Sequence, residues 1–105
     1  MTQRYLQKKA AILKALSDPT RLSIIDLLKD GERCVCEIYP AIDQEQPNVS
    51  KHLNQMKRAG ILDSRKDGLR TLYWIKNADV LEILRYTDAI LQREFEEDRM
   101  AFITP

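Results

Sequence analysis

The sequence predicts a mainly α-helical domain of about five helices with one small β-hairpin, and three features carry that prediction. Apolar residues recur at helical spacing through most of the chain. The period drops from 3.6 to 2 around residue 70. Pro and Gly stand at the ends of the periodic segments, where they start or stop helices. A length of 105 residues fits one domain, residues 1–105, and a hydrophobic fraction of 44% supplies a small core. A domain of this size buries about two thirds of its unfolded surface, so pairing with a second chain is a common supplement.

The first helix runs through RYLQKKAAILKAL, with Leu6, Ala10, Leu13 and Leu16 on one side and Tyr5 and Ile12 beside them. The second is SDPTRLSIIDLLKDG. Asp18 suits the N-cap, Pro19 the first helical position and Gly31 the stop, and Leu22, Ile25 and Leu28 form its apolar stripe. CVCEIYPAI follows, limited by Pro40 to about one or two turns. The next helix, EQPNVSKHLNQMKRAG, has Pro47 in its first turn and Gly60 at its end. Its apolar positions Val49, Leu53 and Met56 make a narrow stripe, so it packs by one edge and leaves most of its surface available for binding.

In ILDSRKDGLRTLYWIK, Leu69, Thr71, Tyr73 and Ile75 alternate with Arg70, Leu72, Trp74 and Lys76, and Asp67-Gly68 is a hairpin turn signal. Trp74 reads as core or hinge packing. Asn77 then caps a long last helix, ADVLEILRYTDAILQREFEED. Val80, Ile83, Leu84, Thr87, Ile90 and Leu91 make a seam along it, either core cover or a dimer interface. The interface is favoured, because the rest of the chain is too short to cover the seam. The charge run REFEEDR reads as a solvated helix end.

Several function classes drop out. No apolar run approaches the about 18 residues of a membrane span, so no membrane partner is expected. The basic N-terminus is amphipathic, without a signal-type apolar core or cleavage site, which points to a cytoplasmic, reducing location. Enzymes have little to stand on. There is one His, no phosphate loop among three Gly, and a CxC rather than CxxC thiol pair outside any βαβ pattern. No catalytic residue and no required cofactor is assigned.

The net charge of +1 hides an asymmetry. Residues 51–76 carry seven basic side chains against two acidic, while residues 77–105 carry three against seven. A basic middle with an acidic tail suits a polyanion-binding face. Short helices, a hairpin with a basic turn and a long final helix describe a winged helix-turn-helix domain on double-stranded DNA. The recognition helix offers Gln46, Asn48, Ser50, Lys51, His52, Asn54 and Gln55 for base edges or phosphates, and Lys57 and Arg58 for phosphates. Arg65, Lys66 and Arg70 flank the wing turn. His52, the only histidine, fits a DNA contact better than a metal ligand.

The strings ALSDPTRL, CVCEI, VSKHL with KRAGIL, and the wing strands together resemble the ArsR/SmtB family of metal- and metalloid-responsive repressors, over about residues 8–76. The family's box is CVCDL where this chain has CVCEI. The resemblance implies a homodimeric repressor that leaves its operator when an inducer binds Cys34 and Cys36, and it marks Ser50, Lys51 and His52 as matching the family's contact motif. The family's zinc site on the last helix needs a His, and residues 77–105 have none. Its cadmium and lead sensors recruit further cysteines, absent here. The CxC box then goes with arsenite or antimonite, or another soft metal ion. Where arsenite sensors often carry a third cysteine, this chain has Tyr39, so an external thiol or hydroxide would complete trigonal arsenic. A thiol-oxidation switch is the alternative trigger, and a protein-interaction module with structural cysteines the alternative function.

Residues i and i+2 of an α-helix differ by about 200° around its axis. Cys34 and Cys36 are therefore expected to face one ion together only if the start of their segment unwinds.

Overall fold

The structure, a computed structural model, describes residues 1–103. Five helices and three strands follow in the order α1 Gln3–Ala15, α2 Pro19–Leu28, β1 Arg33–Cys34, α3 Val35–Ala41, α4 Gln46–Arg58, β2 Leu62–Asp67, β3 Arg70–Ile75 and α5 Asp79–Ile103. This is a winged helix-turn-helix. α3 and α4 form the helical pair and β2–β3 the wing.

Local signals set these boundaries. Asp18 accepts a hydrogen bond from the Arg21 N–H at the start of α2, with Pro19 at the first helical position. Gly60, at φ 82°, takes the left-handed conformation that ends α4. The three apolar residues of α4 are fully buried, as their spacing predicts. They meet Ile24, Ile25 and Leu28 of α2, Ile38 of α3, Ile61, Leu62 and Tyr73 from the hairpin, and Val80 of α5 in one core.

Two details of the hairpin depart from the sequence expectation. Asp67 pairs with Arg70, so the turn residues are Gly68 and Leu69, one place beyond Asp67-Gly68, with Gly68 at φ 62°. The predicted alternation also breaks, because Leu72 and Tyr73 are both buried. The cause is β1, a two-residue strand that makes β3 the middle of the order β1-β3-β2. Tyr73 joins the main core, while Leu72 lies opposite Cys34 of β1.

The last helix divides its predicted seam. Val80 enters the protomer's own core and Leu84 packs against it, whereas Ile83, Thr87, Ile90 and Leu91 are exposed. In α1 only Ala15 is buried, leaving Tyr5, Leu6, Ile12 and Leu13 uncovered. A groove of about 410 Å³ between α2 and α5 is lined by Leu22, Ile25, Leu81, Leu84 and Leu91. None of the described helices is long and apolar enough to cross a membrane.

Candidate nucleic-acid interface and thiol site

The outer face of α4 carries the exposed residues Gln46, Asn48, Lys51, Asn54, Lys57 and Arg58, while Ser50, His52 and Gln55 are half-buried along its edges. Glu45 at its N-cap makes no side-chain cap bond, so backbone N–H groups of the first turn stay open to an anion. Among the described residues Lys51, Arg58 and Lys66 make no ion pair and no side-chain hydrogen bond, which leaves their charges available. The structure thus brings α4 and the wing together as one basic surface.

Several predicted contacts are already engaged within the fold. The His52 side chain is only 15% exposed, its Nδ1 accepts from Arg21 Nε at 3.0 Å, and its Nε2 lies 3.9 Å from Asp18 Oδ2. Gln55 Oε1 accepts from Arg21 Nη2, and the same guanidinium reaches the Ala15 carbonyl at the end of α1 through Nη1 at 3.4 Å. Asn54 Oδ1 accepts from the Tyr73 hydroxyl at 3.3 Å, and Lys57 Nζ donates to Ser64 Oγ at 2.7 Å, so both tie α4 to the wing. Arg65 Nη2 pairs with Glu32 at 2.8 Å, and Arg70 Nη2 with Glu37 at 3.4 Å. The hydrogen bond from Arg65 holds the Glu32 carboxyl below the ordinary carboxylate range and raises Arg65 in return. Both groups are solvent-exposed, so this pair orients the wing more than it stabilises the fold.

Sequence reasoning missed Arg21, Glu32 and Glu37. Their partners lie 31 to 34 residues away in the cases of Arg21, Glu32 and the Glu37–Arg70 pair, beyond any local pattern.

The thiol pair departs from the expected geometry. Cys34 is not helical. It is the N-cap of α3, at φ −69° and ψ 144°, and is paired with Leu72 in the wing sheet. With Cys34 extended, the 200° separation does not apply, and the two sulfurs lie side by side, joined as a disulfide across a Cα–Cα distance of 5.1 Å. No unwinding is needed for both to meet one ligand. The Cys36 N–H donates to Cys34 Sγ at 3.0 Å and the Cys34 N–H donates to Glu37 Oε1 at 3.2 Å, closing a capping box in which Cys replaces the usual Ser or Thr. Cys34 is 2% exposed and Cys36 lies at the surface. Both line a cleft of about 500 Å³ between α3, α4 and the wing, together with Ser50, Asn54, Lys66 and Arg70. Reduced, the two soft sulfurs suit a thiophilic ion, and among the described residues no group of three or more His, Cys, Asp or Glu side chains gathers to add a third ligand.

A recognition helix beside a basic wing, with its first-turn N–H groups open, defines a DNA-binding winged helix-turn-helix regulator. Residues 18–64 match the family model for bacterial regulatory proteins of the arsR family. The chain is 44% identical over 85 residues to the uncharacterized HTH-type transcriptional regulator MJ1325 of Methanocaldococcus jannaschii, covering 80% of this chain and 96% of that one. It is 41% identical to the cadmium resistance transcriptional regulatory protein CadC of Listeria innocua, over 71% of this chain and 64% of that one. Against the arsenical resistance operon repressor of Escherichia coli it is 47% identical, over 54% of this chain and 50% of that one. The chain therefore spans about half to two thirds of the length of those two metal-resistance relatives. The solution structure of the homodimeric winged helix-turn-helix DNA-binding domain Mb0332 from Mycobacterium bovis superposes with a TM-score of 0.80 at 30% identity, covering 92% of this chain and 93% of that one. The protein belongs to the ArsR family of transcriptional repressors, and its relatives and structural neighbours are regulators, not enzymes.

Proposed function

We propose that the protein is a homodimeric, cytoplasmic repressor that leaves its operator when the reduced Cys34 and Cys36 thiolates capture a soft metal ion or metalloid, arsenite or antimonite foremost. One observation carries this reading. The thiol pair is strand-paired to the wing at Leu72 and opens into the cleft shared by the wing and α4. Its geometry is also wired to the wing through Glu37, which holds the Cys34 N–H and Arg70 with the same oxygen. A ligand held between the two reduced sulfurs sets their spacing, and with it Cys34, its ladder partner and the Glu37–Arg70 contact, and so favours the state with lower DNA affinity.

A second trigger is favoured by the disulfide itself. Oxidation by a peroxide converts the two thiols to one disulfide, reducing the peroxide to water, and would act on the same wing-linked segment without a metal.

Fluorescence anisotropy on duplex DNA from upstream of the protein's own gene tests both triggers, with arsenite, antimonite, cadmium, zinc and peroxide titrated separately into reduced protein. Release by arsenite or antimonite at lower concentration than by zinc is expected. A complex indifferent to every ligand would refute the sensor. On the same DNA, Lys51→Ala should weaken binding at least several-fold more than on random duplex. Lys66→Ala should weaken both alike and lower the salt slope by about 1 if it meets a phosphate. Equal losses for both variants on both DNAs would mean that α4 does not read sequence.

A further inference from the structure

Arg21 lies outside the recognition helix, on α2, and its guanidinium is shared among three groups: His52 Nδ1, Gln55 Oε1 and the Ala15 carbonyl. We propose that Arg21 is a positioning residue that fixes the hydrogen-bonding sense of the recognition helix, making Gln55 a donor only toward DNA. This rests on α4 being the helix that reads the operator.

The chemistry follows from which atoms are occupied. A Gln side chain reads adenine bidentately, with its carbonyl accepting from N6 and its amide donating to N7. With Oε1 of Gln55 held by Arg21, only the NH₂ group remains to face outward. Two N–H donors match guanine, which presents two adjacent acceptors, O6 and N7, in the major groove. His52 is held by the same guanidinium but faces inward, with Nε2 3.9 Å from Asp18 Oδ2, so it braces α4 on α2. Nδ1 accepts from Arg21 and so bears no proton, which places the ring proton on Nε2. An unheld Gln55 could present either an acceptor or a donor, and Arg21 removes that choice. It also links the C-terminal end of α1, at Ala15, to the middle of α4 by one side chain. The exposed α1 face and the DNA-reading face are thereby set in a fixed relation.

Sequence selection from a pool of randomised duplexes tests the proposal, comparing the wild type with Arg21→Ala, Arg21→Lys and Gln55→Ala. Thermal melting and ultracentrifugation report folding and assembly for each. The wild type is expected to prefer guanine at the position that Gln55→Ala flattens. Arg21→Ala should free the Gln55 carbonyl and move that preference toward adenine by about tenfold, the scale of one bidentate base contact. Arg21→Lys keeps the charge but not the three-way fork, so it should show the same change even if Arg21→Ala folds poorly. The double variant Arg21→Lys with Gln55→Ala should match Gln55→Ala alone at that position. In the wild type, nitrogen NMR should find His52 protonated at Nε2, with Nδ1 shifting in Arg21→Lys.

A purely structural Arg21 would lower melting temperature and weaken binding to every duplex equally, with the base order unchanged. That result overturns the proposal, as does a Gln55 position that prefers adenine in the wild type. Absence of any selected sequence for the wild type would instead remove the sequence-reading role of α4, and this inference with it.

Discussion

Cys34→Ser and Cys36→Ser should each bind operator like the wild type while raising the arsenite needed for half-release by about a hundredfold, near the upper end of ordinary allosteric coupling. Serine keeps the size of the side chain but replaces a soft sulfur by a hard oxygen, which is a poor partner for a thiophilic ion. The fold gives a specific reason to expect native DNA binding. Cys34 is the N-cap of α3 and accepts a backbone hydrogen bond there, a position at which Ser is among the preferred residues. Cys36 lies at the surface and makes no core contact that a hydroxyl would spoil. Cys34→Ala is the informative control, because losing the cap costs about 1 kcal/mol and should loosen α3 without any inducer. Anisotropy on reduced protein decides the matter. Normal release by either serine variant would show that the thiols are not the sensor. Loss of DNA binding in both before arsenite is added would assign the cysteines to the fold alone. Peroxide-oxidised wild type, with its sulfurs already bonded, should not take up arsenite until a reductant is added.

The part of this site that the sequence displays is the part governed by short-range rules. The Asp18-Pro19 start of α2 and the Val49, Leu53 and Met56 stripe of α4 follow from spacing and caps and stand where their residues predict. The long final helix follows too but runs past its expected end at Asp98 to Ile103. The expectation that Cys34 and Cys36 face one ion only after unwinding takes CVCEI as helical from its first residue, and Cys34 lies outside the helix. The overlooked signal is the spacing of Cys34 to Glu37, which is that of a capping box with Cys in the Ser or Thr place. A cap at Cys34 stands outside the helix, which brings the sulfurs together. β1 has only two residues, too few to show any period, yet it makes β3 a central strand and ties the thiols to the wing. Arg21 offers no local sign of its role. DPTRL reads as a helix start, and its partners His52 and Gln55 become neighbours only when α2 packs on α4.

The combination Ile83→Asp with Ile90→Asp should convert the protein to a monomer and lower operator affinity by about a hundredfold or more. Val80 and Leu84 are used by the protomer itself, so the surface left for a partner begins at Ile83, 37% exposed, and continues through Ile90 and Leu91, 50% and 45% exposed. Leu6, Ile12 and Leu13 leave α1 equally uncovered, and two such helices per chain are the apolar faces expected to meet in a shared helical interface. A charge placed in the middle of such an interface has no water and no partner, which costs far more than its exposed position in the monomer. The loss of DNA binding then comes from geometry alone. In a dimer the second recognition helix binds at the high effective concentration set by the first, and this gain disappears when the chains separate. The half-sites of the operator should accordingly lie about one helical turn apart or a multiple of it. Folding of the variant is checked by the half-site itself: α2, α4 and the wing do not involve Ile83 or Ile90, so a single half-site duplex should bind wild type and variant with similar affinity. Sedimentation as a dimer, or full operator affinity in a monomer, would place the partner surface elsewhere than α5.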